Sequence, residues 1–155
     1  MKTLLQTLLS SEAGWGATIL RVVLGITLLA HGAQKLFGWF GGYGLEGTAQ
    51  WMESIGLAPG ILMAFLAGSA EFFGGAALIL GFLVRPAALL AAITMAVAII
   101  TVHLSNGFFM QNNGYEFALA LFAMSLALVQ QGAGNVSVDG YLTALVSSDQ
   151  SRTPD

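Results

Sequence analysis

Long apolar stretches dominate the chain. The first runs from Trp15 to Leu36 and the second from Gly60 to Val84, and each reaches the roughly 20 residues that a helix needs to cross a bilayer. A third stretch follows at once, from Ala87 to Leu104, and a slightly short fourth runs from Tyr115 to Gln130. The pattern predicts an all-α integral membrane protein, a four-transmembrane-helix bundle that occupies residues 15–131.

The predicted second and third spans are separated only by the Arg85-Pro86 turn. Proline is accepted in the first turn of a helix, so this dipeptide suits the start of a new span. The two stretches could instead form one re-entrant hairpin. We favour two spans, because each stretch is long enough to cross alone.

Two terminal segments flank the predicted bundle. Residues 1–14 have some features of a signal peptide but are expected to be retained as an interfacial helix, because Leu4, Leu5, Leu8 and Leu9 fall on one helical face. Residues 132–155 form a polar C-terminal tail, with a predicted surface helix near Asp139 to Val146.

The distribution of basic residues predicts the orientation. Lys2, Arg85 and Arg152 fall on one side of the predicted bundle and Lys35 on the other. Cytoplasmic loops are richer in Lys and Arg, so both termini are expected in the cytoplasm. On the outer side, residues 37–44 alternate aromatic residues with glycines, which suits the headgroup region, and a short interfacial helix is expected from Gly47 to Ile55.

The composition excludes several classes of function. Only 8% of the residues are charged, against roughly a quarter in soluble domains. With five Lys and Arg and a net charge of -3, the chain has no basic patch for nucleic acid. Cysteine is absent, which removes thiol chemistry and Fe–S ligation, and no nucleotide-binding motif is present.

The ionisable residues within the apolar stretches are the candidates for function, because charges inside a membrane are costly. On helical wheels they share faces with Gly or Ala, so they are expected to point toward neighbouring helices. Their depths predict an ion pair between Arg21 and Glu71 near mid-membrane, with a polar pocket above it near the outer end. The candidate ligand-binding residues are Arg21, His31, Gln34, Lys35, Glu71, His103, Asn106 and Glu116.

Three of these candidates, His31, Glu71 and Glu116, are suited to handle protons. Structural interpretations stand beside the functional ones: a buried ion pair can simply fix helix register, histidines can be hydrogen-bonded core residues, and Glu116 can complement a helix dipole. We predict no metal site, because no helix carries a His-x-x-His or Glu-x-x-His pair.

Three segments resemble the DoxX family of small bacterial membrane proteins: LRVVLGITLLAHGAQKLFGWFGG at 20–42, GSAEFFGG at 68–75, and TVHLSNGFF with NNGYEFALAL between 101 and 121. The resemblance implies a four-helix unit in the bacterial inner membrane. It also implies a link to redox chemistry, since related DoxD-type proteins are associated with thiosulfate:quinone oxidoreductase and some DoxX proteins with membrane redox complexes.

Three functional hypotheses follow. The first is a membrane subunit that binds a small amphipathic, quinone-like ligand and supports an oxidoreductase complex with a membrane or soluble redox partner. The second is a non-enzymatic scaffold or assembly partner, and the third is a transporter of protons or a small solute that relays through Arg21, Glu71 and His31. Membrane lipid is an expected partner in every case, and the glycine-rich helix faces are compatible with a homo-oligomer.

Overall fold

The computed structural model describes residues 9, 11 and 13–150, with side chains up to Leu145. Within these residues the chain is all-helical and contains no strand. Most of the predicted interfacial segment at residues 1–14 lies outside the described residues.

Six α-helices follow one another along the described chain, in the order α1 Trp15–Phe37, α2 Gly44–Ser54, α3 Gly60–Leu80, α4 Val84–Ala98, α5 Glu116–Gln131 and α6 Val138–Gln150. A 3-10 turn, Trp39–Gly41, connects α1 to α2. Beyond α4 the chain continues through a π-helical turn, Ile99–His103, and the 3-10 turns Leu104–Asn106 and Met110–Asn112.

Three of the described helices are long and apolar enough to cross a membrane. They are α1, α3, and α4 together with its continuation as far as Asn106. Helix α5 is apolar but has only 16 residues, so it spans about 24 Å at about 1.5 Å per residue. A fourth crossing therefore stays a prediction.

Helix α4 differs from its predicted span at both ends. It begins at Val84 rather than Ala87, which places Pro86 in its first turn, where the missing N–H needs no partner. Its regular α-helical part ends at Ala98, and the π turn changes the helical phase of the residues that follow.

Helices α1 and α3 touch through their backbones at glycines. A Cβ atom added at Gly25 would lie 2.7 Å from the carbonyl oxygen of Gly75, and one added at Gly75 would lie 2.6 Å from the amide nitrogen of Leu29. Two turns further along, Gly32 lies against the backbone of Gly68 and Phe72. Only glycine permits so close an approach, as the shared glycine faces in the sequence predict.

The main core lies between α1, α3, α4 and α5. It consists of large side chains from three helices packed on small residues of α4, namely Leu24, Leu28, Leu78, Leu121 and Leu128 against Ala87, Ala88 and Ala91. A smaller cluster joins α2 to α3 through Ala49, Met52 and Ala64. The side chain of Glu53 fixes this junction by accepting a hydrogen bond from the Gly60 N–H at 3.0 Å.

Candidate functional site

Helices α1 and α3 are joined by a buried ion pair between Lys35 and Glu71. The Lys35 Nζ atom lies 2.6 Å from Glu71 Oε2. The Glu71 side chain is only 4% exposed, whereas that of Lys35 keeps 25% of its surface. The carboxylate is therefore enclosed, and the pair can be approached from the side of the ammonium group.

The predicted ion pair between Arg21 and Glu71 is wrong. Helices α1 and α3 run antiparallel, with Gly25 opposite Gly75 and Gly32 opposite Gly68. In this register Arg21 lies beside Ile79, two turns along α3 from Glu71.

His31 and Gln34 lie next to Lys35 on α1. His31 is half-buried, and its ring centroid lies 6.1 Å from that of Phe117 on α5, with the two rings tilted by 52°. Gln34 Nε2 donates to the carbonyl oxygen of Phe40 at 3.3 Å. The two residues therefore extend the polar site from the ion pair toward α5 and toward the α1–α2 loop.

The other candidates of the predicted outer pocket bind the backbone of the loop between α4 and α5. The Asn113 carbonyl oxygen lies 2.9 Å from His103 Nδ1 and accepts a bond from Asn106 Nδ2 at 3.3 Å. Glu116 Oε1 accepts a bond from the Met110 N–H at 2.6 Å. These three side chains organise the loop.

Arg21 binds backbone carbonyls at the opposite end of α1. Its Nε donates to Ala133 at 2.8 Å, and its Nη1 donates to Leu78 at 2.8 Å and to Ile79 at 2.7 Å. Its Nη2 donates to Val136. The guanidinium, only 2% exposed, thus satisfies carbonyls at the C-terminal end of α3 and attaches the segment before α6 to the bundle.

Asp139 lies beside this cluster and caps α4 from a distant part of the chain. Its two carboxylate oxygens accept bonds from the Leu83 N–H at 2.7 Å and the Val84 N–H at 2.9 Å. Burial raises the pKa of the Asp139 carboxyl, while these two N–H groups and the charge of Arg21 act to lower it. Part of the predicted polar tail is therefore an integral piece of the bundle.

The sequence interpretation missed Asp139 and Phe117. Asp139 lies at the start of an amphipathic helix, where an acidic residue is common, and nothing in its neighbourhood indicates that it reaches α4. Phe117 belongs to an apolar run and looks like any other lipid-facing residue. Its position directly after Glu116 was the one available signal.

A cavity of about 490 Å³ lies at the Arg21 end of the bundle, away from the Lys35–Glu71 pair. It is bordered by the start of α1, the end of α5 and Arg85. The Arg85 Nη1 atom donates to the carbonyl oxygens of Val129 and Gln130, so this guanidinium serves the C-terminal end of α5.

The group around Lys35 has the chemistry of a polar ligand site. An ammonium can donate to a carbonyl oxygen, a carboxylate can accept from a hydroxyl, and an imidazole can do either. Enclosure by apolar helices strengthens each of these bonds relative to water. The site therefore suits a small molecule with oxygen atoms on an otherwise apolar body.

Comparison with known proteins agrees with the sequence motifs. The DoxX family model matches residues 16–104. A protein of Bacillus subtilis (strain 168) named "Putative oxidoreductase CatD" is 37% identical over 113 residues, which cover 73% of this chain and 78% of that protein. An uncharacterized protein of Haemophilus influenzae is 30% identical over 82% of this chain and 83% of its own length. No solved structure matches. The family match and the apolar helices identify the chain as a membrane protein that belongs to the DoxX family.

Proposed function

We propose that this protein is a subunit of a quinone-linked oxidoreductase complex in the bacterial inner membrane, and that it binds a small quinone-like ligand at the Lys35–Glu71 pair. The observation that carries the proposal is this pair itself. Two charges lie 2.6 Å apart between two apolar helices, where charged groups are costly and are usually functional. The name of the Bacillus subtilis relative supports a redox role.

The residues have distinct roles in this proposal. Lys35 donates a hydrogen bond to one carbonyl oxygen of the quinone, and the Gln34 side chain borders the site beside the α1–α2 loop. Reduction of a quinone to a quinol takes up two electrons and two protons. The electrons come from a partner redox protein, and Glu71 and His31 pass the protons to the two oxygens.

The proposal includes a topology. All four apolar helices cross the membrane, α5 being matched to a locally thinner bilayer, and both termini face the cytoplasm. The Lys35–Glu71 pair then lies in the outer half of the bundle. The Arg21 cluster and the segment that leads to α6 lie at the cytoplasmic end.

A scaffold or assembly role is the second candidate. It is supported by the number of polar side chains that serve the backbone, namely Arg21, Asp139, His103, Asn106 and Glu116. The transport hypothesis loses one of its steps, because Arg21 lies two turns of α3 away from Glu71 and contacts carbonyl oxygens instead.

The decisive test is ligand binding by the purified protein in nanodiscs. A benzoquinone with a decyl tail is titrated against the native protein and against the variants Lys35→Met and Glu71→Gln. We expect both variants to bind the quinone at least about tenfold more weakly, because the lost free energy is that of one hydrogen bond to a charged group. Glu46→Gln, a change at an exposed acidic residue of α2, serves as the control and should bind normally. Equal binding by all four proteins would exclude the ligand site and favour the scaffold.

A further inference from the structure

The Lys35–Glu71 pair is closed on the side of the α1–α3 contact. The backbones of the two helices touch at Gly25 and Gly75 and again at Gly32 and Phe72. Gly68 is covered by the Leu36 side chain, 2.8 Å from where its Cβ would lie. A ligand cannot pass between α1 and α3 without separating two backbones.

On the side of His31, the pair faces α5. At about 100° per residue, Gly32 lies roughly 60° to one side of Lys35 on α1, and His31 lies roughly 40° to the other side. The His31 side faces α5, since the His31 and Phe117 rings are in contact. Both residues keep part of their surface exposed, 37% in the case of Phe117.

The packing between α1 and α5 differs between the two ends of the bundle. Toward the Arg21 end, Leu24 and Leu28 of α1 pack with Leu121 and Leu128 of α5 in the main core. Toward the Lys35 end, the chain that leads from α4 to α5 buries only Gly114 among the described residues 99–115.

We propose that the ligand enters from the lipid through the seam between α1 and α5 and keeps its apolar tail there, with His31 and Phe117 as the two sides of the entrance. This inference rests on the proposed function and names the class of ligand more closely. The polar ring lies at Lys35 and Glu71, the edge of Phe117 packs on the ring or the first part of the tail, and the rest of the tail stays in the bilayer. The ligand class is therefore a membrane-dissolved, tailed quinone rather than a small water-soluble one.

The first experiment locates the tail by photocrosslinking. The protein in nanodiscs is illuminated with a benzoquinone that carries a diazirine at the end of a decyl tail, and the labelled peptides are identified by mass spectrometry. We expect the labels in α1 and α5, and we expect an excess of unlabelled decyl-benzoquinone to remove them. Competed labels on α3, whose Phe65 and Leu66 are exposed, would overturn the entrance.

The second experiment narrows the seam with Phe117→Trp. The matched control is Phe73→Trp, because Phe73 is a 62% exposed phenylalanine on α3. We expect Phe117→Trp to weaken the binding of the tailed quinone about fivefold, which corresponds to about 1 kcal/mol of overpacking. The affinity for the same ring without a tail should change by less than about twofold. The control should alter neither affinity.

The two experiments separate the entrance from the site. If neither quinone binds the native protein, or if binding ignores Lys35→Met, the proposed function fails. If the tailed quinone binds through Lys35 but is indifferent to Phe117→Trp and labels α3, the entrance alone is wrong. If Phe117→Trp fails to fold, as judged by its thermal unfolding, the crosslinking result alone decides whether the entrance lies between α1 and α5.

Discussion

Lys35 and Glu71 form their ion pair within one turn of the place where Gly32 brings the backbones of α1 and α3 together. The position of the charges and the closeness of the two helices are therefore a single arrangement. A side chain at the glycine would move the carboxylate, and loss of either charge would leave the other without its partner inside a tightly packed contact.

A double-mutant cycle measures this coupling. We expect Lys35→Met to lower the free energy of unfolding by about 3 kcal/mol, toward the low end for a buried pair because Lys35 is partly exposed. The double variant with Glu71→Gln should lose less free energy of unfolding than the two single variants lose together. The measurement is unfolding by SDS titration in mixed micelles. Arg21→Met combined with Glu71→Gln is the control cycle, and its two effects should add within about 0.5 kcal/mol. Strong coupling in the control cycle would mean that Arg21 and Glu71 interact, as the sequence predicted.

Gly32→Ala should destabilise the protein by about 3 kcal/mol or more. Its Cβ would collide with the backbone of Phe72, which cannot move as a flexible side chain could, so the helices must separate. Gly16→Ala is the matched control, because a Cβ there meets nothing within 4 Å. That change should be neutral or stabilise the helix by up to about 1 kcal/mol. Thermal unfolding of both variants in detergent compares them, and equal midpoints would contradict the close contact.

Asp139→Ala should loosen the attachment of the C-terminal segment to the bundle. The variant loses the acceptor for the Leu83 and Val84 amides, a cap whose loss costs about 2 kcal/mol. Limited proteolysis should then cut near residues 133–138 faster than in the native protein. Asp139→Asn retains one acceptor oxygen, so its proteolysis rate should lie between those of the native protein and Asp139→Ala. Asn135→Ala, a change at an exposed side chain, should be cut at the native rate. A proteolysis rate unchanged by Asp139→Ala would mean that the cap holds nothing in place.

Glu116→Ala should loosen the loop between α4 and α5. Its carboxylate accepts the Met110 N–H, and a hydrogen bond to a charged group contributes about 1.5 kcal/mol or more. Hydrogen exchange at the Met110 amide should therefore accelerate about tenfold. Ser105→Ala, a change at an exposed residue of the preceding turn, is the comparison that should leave this exchange rate as it is.

The helical faces could be predicted from the sequence, and the pairing along those faces could not. The 3.6-residue period places Gly25, Gly32 and Gly75 on the contact surface, where the structure has them. The same period leaves Arg21 and Lys35 about equally able to face Glu71. Which of them does so depends on the antiparallel register of α1 against α3, and the prediction estimated depth from helix ends whose positions were themselves uncertain by a turn.

Contacts between distant segments were also beyond the sequence. Asp139 reaches Leu83 and Val84, and Phe117 reaches His31, through turns whose course depends on the packing of the whole bundle. The loop contacts of three predicted pocket residues were beyond the sequence for a related reason. His103, Asn106 and Glu116 lie beside a loop with many backbone groups to satisfy, and these groups engage the side chains.

The attachment of Arg21 to Ala133 has a consequence for biosynthesis. The two residues are 112 positions apart, and the ribosome adds roughly 5 to 20 residues per second, so the arginine waits roughly 6 to 22 seconds for this partner to be made. During that interval α1 must be inserted with a guanidinium that lacks the acceptors of Ala133 and Val136. Maturation of this end of the bundle therefore waits for the synthesis of residues 133–136, and a ribosome that stalls before residue 133 leaves an inserted arginine that lacks two of its acceptors.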